Sequence, residues 1–188
     1  SDMFVGTDFA PFRTKTVRSI NAIGASSQPR SFFEQMLDFA LSIGMKGLGY
    51  IKVDEEMKYK GPIDKFLSEK DKKELAERAQ LRPGDVLFFI ADTEEYSPKL
   101  AGQIRTELAN RLELIDENKY EMCFIVDFPM YEVDEKTGKI EFTHNPFSMP
   151  QGGLEDLMEK DPLDIIAYQY DIVCNGVELS SGAVRNHD

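Results

Sequence analysis

The chain has 188 residues, 41% of them hydrophobic and 30% charged, a balance ordinary for a soluble globular protein with one sizeable core or two small ones. Its 22 basic and 34 acidic side chains give a net charge of −12, which argues against nucleic-acid binding through a broad basic surface but leaves room for a local phosphate site. No apolar run approaches the roughly 20 residues that span a bilayer, and no signal peptide is legible, so a cytoplasmic protein without membrane contact is expected. Two cysteines, Cys123 and Cys174, lie in apolar runs without metal-ligand spacing and read as free buried thiols.

In chain order, residues 4–23 are mixed, with a β-prone stretch at 15–20, and 24–29 reads as a loop. A helix is expected from Ser31, an N-cap forming a capping box with Glu34. Phe32, Phe33, Met36, Leu37, Ala40 and Leu41 follow at helical spacing, and Gly44 supplies a left-handed stop. Residues 47–53 read as a strand, 54–62 as a polar connection broken at Gly61-Pro62, and 68–79 as a charged surface helix. Pro83-Gly84 is a turn and 85–91 a buried strand. Ser97-Pro98 opens a helix with proline at its first position, whose apolar face is Leu100, Ala101, Ile104, Leu108 and Leu112. The character changes near residue 117: an α+β unit precedes that point and a mainly antiparallel unit follows it. In the second unit, 122–128 is a strand, 131–133 and 140–144 form a hairpin around the turn 134–139, and 165–174 is another strand. The abrupt stop after Asn186-His187-Asp188 predicts a cut end rather than a natural terminus.

The richest stretch is Tyr170-Asp171-Ile172-Val173-Cys174-Asn175-Gly176-Val177-Glu178-Leu179. Asn-Gly between β-prone runs is a strong hairpin signal. With 175 and 176 as the loop, 174 pairs with 177, 173 with 178 and 171 with 180, so Asp171, Val173, Glu178 and Ser180 share a face. Asp171 and Glu178 then become diagonal neighbours, and two hard carboxylates suit magnesium held against phosphates. By spacing alone the same pattern also describes a solvated sheet face with two unrelated acids. Arg185 follows small residues that would let a ligand approach the backbone, and its guanidinium can clamp a carboxylate. Simple alternation puts it on the face opposite Glu178 unless a bulge intervenes near Gly182, and a surface arginine is the plain alternative. His144, at a strand end beside a Gly/Pro-rich segment, reads either as a ligand-binding group on a mobile loop or as a solvent-facing histidine. No Walker-type phosphate loop, Rossmann fingerprint or nucleophile motif is present.

Taken together, Ile125-Val126-Asp127-Phe128-Pro129-Met130-Tyr131-Glu132, then His144-Asn145-Pro146-Phe147, then the run from Tyr170 through Glu178 to Arg185 resemble the catalytic core of bacterial-type aspartyl-tRNA synthetases. Gly44-Met45-Lys46-Gly47-Leu48-Gly49-Tyr50-Ile51-Lys52-Val53 resembles the GAD insertion domain of the same enzymes. The resemblance implies an α+β architecture, with a GAD-type insertion domain over 4–117 followed, over 118–188, by part of a class II antiparallel sheet. It implies ATP-dependent activation of aspartate and its transfer to tRNA by the intact homodimeric parent, with ATP and Mg2+ and no permanent cofactor. By the same resemblance Glu178 binds ATP, Asp171 and Glu178 hold magnesium, and His144 and Arg185 bind aspartate. Many relatives have a second histidine where this chain has Asn145, and members differ in whether they also charge asparagine tRNA. The family's anticodon-binding barrel and three class-defining motifs lie outside this stretch. No complete catalytic set is therefore expected here, and the stretch alone is expected to be inactive. The alternative is a GAD-containing subunit of a tRNA-dependent amidotransferase, or a non-catalytic tRNA-binding module. Such a subunit has no reason to carry Asp171, Glu178 and Arg185 together.

Overall fold

The computed structural model describes residues 9–134 and 136–187. Residues 1–8, of which 4–8 belong to the expected insertion domain, Glu135 of the expected turn and the final Asp188 lie outside that set. The fold is α+β, and the chain divides into two compact units, Ser1–Ile115 and Asp116–Asp188.

The first unit is built on a four-stranded antiparallel sheet in the order β1-β4-β2-β3. The strands are β1 (Thr16–Ala22), β2 (Gly49–Val53), β3 (Tyr59–Lys60) and β4 (Val86–Asp92), and the helices are α1 (Ala10–Thr14), α2 (Arg30–Ser42), α3 (Glu69–Arg78) and α4 (Ser97–Arg111). The apolar run of β4 explains the layering. Val86, Phe88 and Ile90 point into one core with Phe33 and Met36 of α2 and Ile104 and Leu108 of α4. Leu87 and Phe89 point into a second core with Phe12 of α1 and Leu75 of α3. A strand covered on both faces needs no polar alternation, so it reads as one continuous apolar stretch. Each fully buried side chain of this kind contributes about 1.5–3 kcal/mol.

Several local expectations are corrected. α2 has Pro29 as its N-cap with no side-chain cap bond, and Arg30 Nε takes Glu34 as an ion-pair partner at 2.7 Å, so the Ser31–Glu34 capping box does not form. Leu37 and Leu41, expected on the buried face, are exposed, because the buried stripe runs through Phe32, Phe33, Met36 and Ala40. Gly44 does end the helix in the left-handed region (φ 91), with the Met45 N–H donating to the Ala40 carbonyl. A capping box forms instead on α3, between Ser68 and Asp71. Ser97 opens α4 after the N-cap Tyr96, leaving Pro98 at the second position rather than the first.

The second unit holds a three-stranded antiparallel sheet in the order β5-β8-β9 and a separate two-stranded ribbon, β6-β7. Its elements are β5 (Met122–Pro129), β6 (Tyr131–Val133), β7 (Ile140–Phe142), α5 (Gly153–Glu159), β8 (Ile166–Cys174) and β9 (Val177–Ala183). The small α5 interrupts a segment whose Gly and Pro content gives no helical signal. β5 is exposed along nearly its whole length, including Met122, Phe124, Ile125 and Val126. Cys174 is buried as expected, but Cys123 is exposed, because its strand has no covering layer within the described residues.

Candidate functional site

The site grows from the turn between β8 and β9. Asn175 (φ 50) and Gly176 (φ 80) both occupy the left-handed region, as a two-residue hairpin that matches strand twist requires. Asn175 also fastens the neighbouring strand: its side chain accepts from the Glu121 N–H at 2.9 Å and donates to the Lys119 carbonyl at 2.8 Å. Cys174 pairs with Val177 and Val173 with Glu178, as the spacing requires.

The next pair differs. Ile172 lies opposite Ser180 and Asp171 opposite Ser181, so one extra residue, Leu179, is accommodated in β9. Asp171 and Glu178 remain diagonal neighbours on one face, since Glu178 is opposite Val173. Ser180 moves to the other face, contrary to the sequence expectation, and Ser181 takes its place. The bulge also changes the count downstream: alternation from Ser181 would return Arg185 to the face of Asp171, but the pairing with β8 ends at Ala183 and Arg185 bridges to Ser148. A bulge is present, but at Leu179 rather than near Gly182. Gly182 serves a different purpose. A Cβ there would stand 2.7 Å from the Tyr170 ring, so its bare backbone makes room for that ring rather than for a ligand.

His144 lies just beyond β7 in an exposed loop, its ring edge-on to Phe128 at 5.0 Å. The same loop reaches Arg185, whose guanidinium carbon sits 3.7 Å from the centroid of the Phe147 ring. The Asn186 N–H donates to the Phe147 carbonyl and the Met149 N–H to the Val184 carbonyl. A guanidinium stacked on a ring has one face covered and its N–H edges directed outward, the orientation needed to grip a carboxylate with two bonds.

Gln169 is the residue that sequence reasoning missed. It is 7% exposed, and its amide donates to Ser148 Oγ at 2.7 Å and to the Asn145 carbonyl at 3.3 Å. It thus ties the loop that follows His144 to the strand that bears Asp171. No local signal marks it, since β8 also carries the polar Asp171 two residues on, on the same face. Asp127 was also passed over: it has φ 60 at a register shift between β5 and β8, and it accepts from Gln151 Nε2 at 2.6 Å.

Among the described residues no group of three or more acidic, histidine or cysteine side chains is arranged to hold a metal ion. Asp171 and Glu178 are a pair, with Asp171 half-buried and Glu178 exposed. A pair of hard oxygen donors fits magnesium that takes its remaining ligands from phosphates and water.

Residues 12–100 match the GAD domain. The whole chain is 53% identical to the aspartate–tRNA ligase of Streptomyces coelicolor, covering 100% of this chain and 32% of that protein. The chain is a relative of the aspartate–tRNA ligases. It is also 50% identical to the aspartate–tRNA(Asp/Asn) ligase of Rickettsia bellii, over 100% of this chain and 33% of that one. The Ehrlichia chaffeensis protein of the same name matches at 50% identity over 91% of the chain. The chain spans about a third of the length of these relatives. Both units share in the likeness, since the alignments run well beyond the GAD residues. No described helix is long and apolar enough to cross a membrane.

Proposed function

We propose that the protein to which this sequence belongs is a cytoplasmic, homodimeric aspartate–tRNA ligase. In this reading residues 4–117 are its GAD insertion domain and 118–188 contribute part of a class II catalytic sheet. The observation that carries the reading is the face of β8 and β9. There Asp171 and Glu178 are diagonal neighbours, and in the adjoining segment Phe147 of the loop after His144 packs against Arg185.

Each group has a chemical task. Asp171 and Glu178 would hold Mg2+, which would neutralise charge on the phosphates of ATP, and Glu178 also binds the nucleotide. Arg185 grips the side-chain carboxylate of aspartate through its two-pronged edge. The loop carrying His144 closes over the amino acid. The α-carboxylate of aspartate attacks the α-phosphorus of ATP, pyrophosphate leaves, and a terminal ribose hydroxyl of tRNA then displaces AMP from the aspartyl-adenylate. Catalysis of this kind requires all groups positioned together, so residues 1–188 alone are expected to be inactive.

The amidotransferase reading is disfavoured by the second unit, which such a subunit does not need and which the ligases match along its length. The test is Arg185→Gln in the full-length gene product. It should raise the KM for aspartate by about two orders of magnitude with little change in the KM for ATP, the loss of a desolvated bidentate charge pair. Equal loss for both substrates would contradict the assignment.

A further inference from the structure

The first unit contains a pocket of about 640 Å3 that the aspartate-activation reading does not use. That volume falls within the roughly 300–1,000 Å3 typical of small-molecule sites. Its apolar walls include Phe12, Leu48, Ile63 and Phe89, all buried, with the Phe12 and Phe89 rings 5.3 Å apart. The backbone of Gly49 is pressed against Ile63: a Cβ there would lie 2.8 Å from that side chain. Gly47, also in the lining, is different. A Cβ at Gly47 would meet nothing within 4 Å, so this wall looks onto open space.

The charged lining is cationic. Lys15 and Lys46 both border the pocket. One carboxylate, Asp92, stands against them, 3.4 Å from Lys15 Nζ. The Thr93 N–H is the main cause that holds the Asp92 carboxyl below its ordinary range, and Lys15 and Lys46 add to it. Two ammonium groups against one carboxylate leave a local excess of positive charge on a chain of net charge −12.

From this cavity and its rim we propose that the first unit binds a small organic anion, an aromatic or branched apolar body bearing one carboxylate. The apolar body lies between Phe89 and Gly47, and the carboxylate meets Lys46. The mostly apolar wall and single excess charge disfavour a nucleotide or another polyphosphate, which would need more cations.

The test uses the 188-residue chain, 15N-labelled, titrated with 4-phenylbutyrate and separately with 4-phenylbutan-1-ol. The acid is expected to give saturable amide shifts at Gly47, Gly49 and Ala91, and to bind about fivefold more tightly than the alcohol, as one partly exposed ion pair implies. Lys46→Ala, at an exposed position, should remove most of that preference and leave the alcohol unchanged. Gly47→Phe should fill the space and abolish both. Three results would overturn the proposal: shifts that do not saturate or that scatter outside the first unit, equal affinity for acid and alcohol, or undiminished binding to folded Gly47→Phe.

Discussion

Asp85 offers the sharpest test of how the first unit is held together. It is 1% exposed, at the mouth of β4. One carboxylate oxygen accepts from the Gly24 N–H at 3.0 Å; the other accepts from the Arg82 N–H at 3.0 Å and from Asn21 Nδ2 at 3.1 Å. The carboxylate thus joins the turn after β1, the turn before β4 and β1 itself, using neutral donors only. Asp85→Asn keeps one acceptor. The best arrangement places the amide oxygen at the doubly bonded position and turns the NH2 toward Gly24. The Gly24 N–H, in an exposed turn, is then left without its protein acceptor, at about 1 kcal/mol. Asp85→Ala strands all three donors and should cost about 4 kcal/mol, less than a simple sum because the turns relax. The assay is native-state hydrogen exchange at the β4 amides, since the chain has no tryptophan and two units that can unfold separately. A loss under about 0.5 kcal/mol for Asp85→Asn, the range of an ordinary surface change, would refute the reasoning.

Three further outcomes are expected. Gly182→Ala should destabilise the second unit by about 1–2 kcal/mol through its clash with the Tyr170 ring, and most of that loss should vanish in a Tyr170→Ala background, measured as a double-mutant cycle. Gln169→Ala should cost about 1–3 kcal/mol and speed amide exchange in the segment from Asn145 to Met149, which its side chain fastens; unchanged exchange there would count against that role. Acid should weaken the first unit through Asp92, whose folded pKa is held below 3.8 chiefly by the Thr93 N–H. A depressed carboxylate pKa contributes stability that is complete above the unfolded value and is lost as pH falls through the folded one. Melting curves between pH 5 and 3 (roughly the window around the unfolded pKa) should therefore be flatter for Asp92→Asn than for the unsubstituted chain.

The parts of the fold that depend on local chemistry were legible in the sequence. Asn175-Gly176 specifies its turn because both residues tolerate positive φ, and that turn sets the first two pairs of β8 and β9. The two-sided burial of β4 followed from an apolar run too short for a long helix. What sequence could not supply were features set by neighbours in space. The Leu179 bulge depends on how β9 meets a strand already paired with β5, and it decides which face carries Ser180 and Ser181. The Arg30–Glu34 pair displaced a capping box that was equally plausible from spacing. Cys123 lies in an apolar run, yet its exposure depends on what covers β5, a property of packing rather than of that run. Gln169 shows the limit at the candidate site: a glutamine in a strand carries no signature, and its role emerges only when Ser148 and the Asn145 carbonyl stand beside it.

The proposed activity is tested most directly by ATP–pyrophosphate exchange with the full-length gene product, offered each of the standard amino acids in turn with Mg2+. Exchange is expected with aspartate alone, and Glu178→Gln should reduce it by about 100-fold or more while raising the Mg2+ concentration needed for half-maximal rate. Exchange with another amino acid, no exchange at all, or a Glu178→Gln protein as active as the parent would contradict the account of the β8–β9 face.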